Sequence, residues 1–406
     1  MKVLLLHDYG TATGGAELQM LALRRGLRER GHEVRLFTSR ATYVPADVLA
    51  DEHCFGVVNT RLQVLTQTVN LSAVSGVRRV MREFVPDVVH ARMIMYQLSP
   101  AILPLLRGTP AIYQEATYKS ICLTGTRVLP DGRACRFIAG HACLREGCVT
   151  PQSWAVLMLQ HALWQRGRSV FSRYVALSHA MKTELEMGGL TPVHVMHNGV
   201  PERSMRAPLA GPPRLLFAGR LAPEKGVDRL LRVFAQVREA LPDAVLDILG
   251  DGPLRSSLET LAAALGVSSA VRFHGHLMRD AMEAVCDRAW VQAVPSQWAE
   301  PFGNVSTEAM MRGTSVLASD VGGQRDIVHH EVTGLLLPPQ DDEAWRTALV
   351  RVLSNRDLAE ALGAAGRQRA LQLFSETASL DRWESMYHDV ISECARRESP
   401  ATLSPE

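Results

Sequence analysis

The sequence predicts an α/β protein built from two Rossmann-like, doubly wound domains that face each other across a cleft. Three observations lead there. The chain has 406 residues, more than one ordinary hydrophobic core accommodates. It opens with "KVLLL", an uninterrupted apolar run of the kind that buried parallel strands carry, followed by a glycine-rich loop, a helical segment and another strand. The same alternation restarts after a proline-rich stretch near the middle.

Taken in order, "HDYGTATGGAE" is the first loop, and residues 16–30 carry Leu18, Leu21, Ala22, Leu23 and Leu27 at helical spacing. Gly31 stops that helix and "EVRLFTS" is the next strand, which makes a right-handed crossover unit. "PDVVHAR" (86–92), "PAIYQEA" (110–116), "YVALSHAMKTEL" (174–185) and "VHVMHNGV" (193–200) continue the pattern. Residues 201–213, "PERSMRAPLAGPP", hold four prolines and form the expected linker. "RLLFAGR" (214–220) opens the second half, and 226–241 is an amphipathic helix with Leu230, Leu231, Phe234 and Val237 on one face. "AVLDILGDGP", "VRFHGH", "VQAVPS", "SVLAS" and "GLLLPP" supply further strands, and 341–396 reads as helical. The expected division is therefore 1–200, the linker 201–213, and a second domain from 214 onward.

Composition fits a globular protein, with 47% apolar and 21% charged residues. The charge is uneven. Residues 1–200 hold 22 Lys+Arg against 14 Asp+Glu, net +8, which leaves 22 against 28, net −6, for the remainder. A basic first half suits an anionic substrate or an acidic membrane surface, and equally an unevenly charged solvated surface. The start is not a signal peptide, since His7-Asp8 ends its apolar run. The stretch 154–164 is too short to span a bilayer. A cytoplasmic protein is expected, with a peripheral visit to the inner membrane surface left open by the basic helices 23–30 and 77–84. No nucleic-acid partner is expected.

Seven cysteines in this setting argue against a disulfide scaffold. Cys122, Cys135, Cys143 and Cys148, spaced C-x12-C-x7-C-x4-C within 119–150, are candidates for a structural zinc ion, although no C-x2-C pair is present. Unconnected thiols are the competing reading.

Two loops carry the candidate chemistry. "GRLAPEKG" (219–226) follows a strand and precedes a helix, so Arg220, Lys225 and a helix N-terminus suit a diphosphate. "EPFGNVSTE" follows "VQAVPS" at the edge where open α/β sheets bind ligands. The N–H groups of Gly303, Asn304 and Val305 are placed to meet an anion there, with Asn304 alternatively capping the helix. Glu300 and Glu308 would repel a phosphate and suit sugar hydroxyls on either side of it. Ribose, diphosphate and hexose have that layout. The helix-start alternative, acids favoured by the dipole, competes for Glu308. "TGGAE" (13–17) opens a helix with Gly14-Gly15 but is not G-x-G-x-x-G, which disfavours a nicotinamide enzyme. No D-x-D pair follows a strand, so no catalytic metal is assigned.

"GGAE" (14–17), "HNGV" (197–200), "GRLAPEKG" (219–226) and Glu300-x7-Glu308, in this order along nearly the whole chain, resemble the family 4 glycosyltransferases of GT-B architecture. The resemblance implies a nucleotide diphosphate sugar donor in the cleft and metal-independent transfer with retention of anomeric configuration. The acceptor would be a glycan, a lipid-linked sugar or a small molecule. It implies that Glu300 contacts the sugar and Glu308 the ribose, that Phe302, Gly303 and Asn304 approach sugar and phosphate, that Arg220 and Lys225 grip the diphosphate, and that Gly14 and Gly15 lie where phosphate and acceptor meet. It also implies that the last helix, 377–396 with "LDRWESMYHDVIS" (380–392), crosses back to the first domain, which leaves 214–376 as the donor domain. A sugar-nucleotide epimerase and a non-catalytic nucleotide-sugar-binding protein share the architecture. Two departures stand out: Arg92 replaces a histidine of many relatives, with His90 kept, and His197 replaces a proline. Arg92 cannot act as a base and suits an anionic acceptor or phosphate. His90 is as readily a packing residue.

Overall fold

A computed structural model describes residues 1–43, 47–58 and 60–398. It contains two parallel sheets. The first holds β1 (Lys2–Tyr9), β2 (Glu33–Ser39), β3 (Glu52–Cys54), β4 (Val88–Arg92), β5 (Ala111–Gln114), β6 (Arg173–Ala176) and β7 (Val193–Val195), in the order β3-β2-β1-β4-β5-β6-β7. The second holds β8 (Arg214–Ala218), β9 (Val245–Leu249), β10 (Val271–Gly275), β11 (Val291–Val294), β12 (Ser315–Ser319) and β13 (Gly334–Leu337), in the order β10-β9-β8-β11-β12-β13. Both orders reverse direction once, between β1 and β4 and between β8 and β11, which creates the switch points where ligands bind in doubly wound sheets.

Local chemistry explains the elements. β1 is buried along seven of its eight residues, as a central parallel strand requires. The helix Leu71–Phe84 starts on Asn70, whose side chain accepts the Ala73 N–H, and buries Ala73, Val77, Val80 and Phe84. The helix Val227–Ala240 buries Leu230, Leu231, Phe234 and Val237, the face expected from the sequence. The short strand β3 and the helices Thr60–Thr66 and Pro151–Gly167 carry no clear periodic signal. The last of these fills the region beside the cysteine segment.

The helical C-terminal region is three helices, Asp342–Leu353, Arg356–Leu373 and Glu376–Glu398. The last packs on the first domain. Its Trp383, Tyr387 and Val390 join Val3, Leu5, Leu23, Leu27 and Val88 in one core, each such large side chain contributing roughly 1.5–3 kcal/mol by burial. The helix Gly15–Glu29 comes so close that a Cβ on Gly26 would lie 2.4 Å from Leu380 Cδ1. Arg25 pairs with Glu376 at 2.8 Å and His32 Nε2 with Glu384 at 2.6 Å.

The chain crosses between domains twice, and the crossings bond to each other. Val200 N–H donates to Phe374 O at 2.7 Å and Glu376 N–H to Val200 O at 3.1 Å. The linker is not a free tether, since Arg206 and the Leu209 N–H both bond Glu360 on the second domain. The basic run 23–30 is not a free cationic face either. Arg24 and Arg28 pair with Asp51, Arg25 with Glu376, and Arg30 with Glu384. Among the described residues, no helix is long and apolar enough to cross a membrane.

Candidate active site

Between the domains lies a cavity of about 420 Å³. The second domain lines it with Gly219, Arg220, Lys225, Ser296 and residues 300–305, and the first with Gly15, Ala16, Arg92 and Asn198. Each wall is the carboxyl edge of a sheet, so the cleft follows from the two switch points.

Glu300 is buried and fixed. Its Oε1 accepts from Lys225 Nζ at 2.5 Å and from Ser296 Oγ at 2.5 Å. Lys225 ends a short 3-10 turn, Pro223–Lys225, which aims its ammonium across at the Glu300 loop. Charge-assisted bonds of this length hold both groups in register. Arg220 is mostly exposed and pairs with Glu224 at 2.5 Å, within reach of the same cavity.

The loop between the two glutamates turns on Gly303, which has φ +138 and caps the helix Asn304–Arg312. Gly303 rather than Asn304 is therefore the N-cap. Asn304 instead accepts a bond from Asn198 Nδ2 at 2.9 Å, across the cleft. Ser306 and Thr307 N–H donate back to Gly303 O, and among the described residues the N–H groups of Gly303, Asn304 and Val305 have no partner, which leaves them for an anion. Phe302 is buried and stacks on His197, with ring centroids 5.6 Å apart.

Glu308 lies one cavity over, with Leu216, Ala218, Val305 and Arg312, beyond the Gly303 end of the loop. Protein surrounds it closely, yet its surface stays open to solvent. The burial raises its carboxyl above the ordinary 4.5, against the pull of Arg312 and Arg203. No described side chain hydrogen-bonds its carboxylate.

The remaining candidates separate. Gly15 lies on the cleft, and a Cβ there would come within 3.3 Å of Asn304 Nδ2. Gly14 is the N-cap of the first helix and faces Glu17 rather than the cavity. Arg92 ends β4 on the cleft wall. His90, two residues earlier, is fully buried away from it. Its Nδ1 bonds Tyr387 Oη at 2.7 Å, its Nε2 meets Gln114 Oε1 at 3.2 Å, and Trp383 stacks on it at 4.2 Å. Burial, with the Arg92 charge adding to it, lowers its pKa to about 3, so it is a neutral anchor for the last helix and not an acceptor-side group.

The cysteine segment forms a small lobe, with a turn of hairpin bridging Val128 to Ala134 between Cys122 and Cys135. Burial raises the Cys122 pKa, but its bond with Thr124 Oγ1 at 3.3 Å, and then the backbone N–H groups of Arg127, Gly125 and Thr124, outweigh this and lower it. Among the described residues, the only three metal-capable groups whose ligand atoms lie within 4.8 Å of one another are His179, His197 and Asp326, and the cysteines are not drawn that tightly together. That trio is a seam between domains: Asp326 Oδ2 accepts from His179 N at 2.8 Å and meets His179 Nδ1 at 2.9 Å and His197 Nε2 at 3.0 Å.

Sequence reasoning missed Gly322 and Gly323, which lie directly under the donor-side loop. Gly323 N–H donates to Glu300 O at 2.9 Å. A Cβ at Gly322 would come within 2.5 Å of Glu300 O, and one at Gly323 within 2.4 Å of Phe302 O. The consecutive glycines in "VGGQ" were the available signal.

Two Rossmann-like domains with an anion-ready loop and a fixed carboxylate across a cleft define a GT-B protein. The family model "Glycosyltransferase Family 4" matches residues 13–203 and "Glycosyl transferases group 1" matches 203–369. The chain belongs to the family 4 glycosyltransferases. It is 30% identical to glycogen synthase of Mycobacterium tuberculosis over 292 residues, 71% of this chain and 65% of that protein. It is 36% identical to the D-inositol 3-phosphate glycosyltransferase of Salinispora tropica over 186 residues, 44% of this chain and 38% of that one. The chain thus spans less than two thirds of the length of these curated relatives. In fold it is similar to sucrose-phosphate synthase of Thermosynechococcus elongatus, with TM-score 0.73, 21% identity, and 97% and 100% of the two chains covered. It is likewise similar to Anabaena HepE solved with UDP-glucose, with TM-score 0.68, 19% identity, and 96% and 100% covered.

Proposed function

We propose that the chain transfers a hexosyl group from a nucleotide diphosphate sugar to a hydroxyl of a glycan, lipid-linked or small-molecule acceptor, with retention of anomeric configuration and without a metal. Synthesis of a cell-surface polysaccharide or glycoconjugate is the setting this suits. The observation that carries the reading is the Glu300 clamp: a buried carboxylate held by Lys225 and Ser296 beside three backbone N–H groups with no partner among the described residues. Family relatives that include a glycogen synthase and an inositol-phosphate glycosyltransferase support it, as does the likeness in fold to a protein solved with UDP-glucose.

In this reading the Gly303–Val305 amides, Lys225 and Arg220 receive the diphosphate and stabilise the charge it gains as the glycosidic bond breaks. Glu300 orients the sugar hydroxyls and Glu308 the ribose. Neither is assigned as a nucleophile, so the acceptor hydroxyl attacks on the face the diphosphate leaves, and its proton passes to the departing phosphate oxygen. Closure across the Asn198–Asn304 contact excludes water and limits donor hydrolysis.

The test is a binding panel of uridine, guanosine and adenosine diphosphate sugars, followed by nucleotide release with the sugar that binds. Lys225→Ala is expected to lose ~100-fold in rate, about 3 kcal/mol. Glu300→Gln is expected to lose sugar discrimination while keeping affinity for the bare nucleotide diphosphate. Wild-type rates in both variants would refute the site.

A further inference from the structure

Among the described residues, Arg92 is a buried cation that forms no ion pair. Its side chain ends β4 at the switch point of the first sheet, opposite Gln114 on β5 and His7 on β1. It is 3% exposed, yet a guanidinium presents five donors. Among the described residues, its one side-chain hydrogen bond is to Asn198 Oδ1 at a long 3.5 Å, its Nε has no partner, and no carboxylate lies within ion-pair distance. Glu17 is the opposing charge that acts on it through space, each favouring the other's charged form, but the two form no ion pair. The flanking His7 and His90 offer no negative charge. Burial lowers both to about 3, with Arg92 adding to the effect, so they are neutral. Burial also weakens the guanidinium's own hold on its proton, to about 10, and it stays charged at neutral pH.

A buried, unpaired charge is strongly destabilising, and folds retain one where a ligand completes it. Arg92 lines the cavity on the wall opposite Glu300 and Lys225, and connects through Asn198 to Asn304 of the donor-side loop. The diphosphate already has Lys225, Arg220 and the Gly303–Val305 amides on the far wall. The geometry points to a second oxyanion in the cleft: Arg92 recognises a carboxylate or phosphate carried by a sugar substrate, in addition to the donor's diphosphate. The planar fork suits either group bidentately, and its position between the domains suits a sugar being transferred or one receiving it.

This rests on the nucleotide-sugar reading, and one set of titrations separates the two. Wild type, Arg92→Gln and Arg92→Lys are titrated with UDP and GDP alone, then with UDP-glucose and UDP-glucuronate. They are then titrated with glucose, glucuronate and glucose 6-phosphate at saturating nucleotide diphosphate. Wild type is expected to prefer the anionic sugar by ~10-fold or more in one arm. A preference in the donor arm assigns the oxyanion to the transferred sugar, and one in the acceptor arm to the receiver. Arg92→Gln is expected to erase the preference with nucleotide affinity unchanged, Arg92→Lys to retain part of it, and Arg92→Gln without ligand to unfold at a higher temperature than wild type. Equal affinity for neutral and anionic sugars in both arms, or a fall in bare UDP and GDP affinity as large as the fall for the anionic sugar, would overturn the assignment. Failure of wild type to bind any nucleotide diphosphate would instead overturn the nucleotide-sugar reading itself.

Discussion

Gly323→Ala tests whether the Glu300 loop is a positioned device. Gly323 has ordinary helical dihedrals, φ −67 and ψ −13, so alanine brings no backbone strain of its own. The effect is steric. The new Cβ would lie 2.4 Å from Phe302 O and 2.5 Å from Phe302 Cα, where real Cβ contacts essentially never come under 3.0 Å, so the loop must give by at least 0.6 Å. Both obstacles are backbone and cannot rotate away. Phe302 is pinned behind by His197 and Phe374, so the shift passes along the loop to Glu300 and Gly303. Overpacking of this kind costs roughly 1–3 kcal/mol of stability, and misplacing a reacting group by about 1 Å costs on the order of 100-fold in rate. Expected are a modestly lower melting temperature and a loss of ~100-fold in kcat/KM for nucleotide release, with the nucleotide diphosphate still bound. Gly140→Ala, whose Cβ meets nothing nearer than 3.9 Å, is the control. A folded Gly323→Ala protein with wild-type kcat/KM would show that loop position does not govern the chemistry.

Glu308 is held above its ordinary 4.5 by burial, so it takes up a proton at a higher pH than a surface glutamate as the solution is acidified. Donor affinity is expected to fall over that interval, and Glu308→Gln to remove the fall while lowering affinity at neutral pH by ~10-fold. A pH profile shared by wild type and Glu308→Gln would refute the ribose assignment. For the cysteine lobe, the proposal of a structural zinc ion predicts that protein purified under reducing conditions carries one zinc. It predicts too that Cys135→Ser lowers both the zinc content and the melting temperature. Metal-free protein with the same melting temperature would refute it. The proposed peripheral membrane contact falls to the exposed Phe55, Leu62, Leu65, Val69 and Leu71, with Arg78 and Arg82 exposed on the helix that Leu71 opens, because the arginines of 23–30 are already paired. Co-sedimentation with anionic vesicles is expected to drop in Leu62→Gln/Leu65→Gln, and no sedimentation of wild type at low salt would refute the contact.

The sheets were legible because central parallel strands have no choice of pattern. "KVLLL", "RLLFA" and "SVLAS" must be apolar on both faces, and each is followed by its loop and helix. β3 was not legible, because a three-residue edge strand, Glu52–Cys54, has one neighbour and little burial to impose a pattern. The helix Pro151–Gly167 was not legible as a structural element for the opposite reason. It is apolar nearly all round and lacks one dominant face, so periodicity cannot distinguish its role.

The site was legible only where chemistry and local structure coincide in one stretch of chain. Glu300 to Glu308 follows a strand and opens a helix, so the residues and their placement can be read together. Position across the cleft cannot. His90 and Arg92 stand two apart on the same strand and look alike as candidates, yet the last helix decides their fates. Tyr387 and Trp383 close over His90, nearly 300 residues away in the chain, and make it structural. Arg92 lies one step further along, at the open edge, where among the described residues the only group that bonds its side chain is Asn198 from the crossing point. The same logic applies to His197. In the sequence it is a departure from the motif, standing where relatives carry a proline. In the fold it is held between Phe302 and Phe374 and bonded to Asp326 of the other domain, so it ties the donor-side loop to the hinge. A departure from a family pattern is thus informative in proportion to what the fold places against it. Among the described residues Arg92 forms no ion pair, which is why it points to a substrate, and His197 is held by Phe302, Phe374 and Asp326, which is why it points to the architecture.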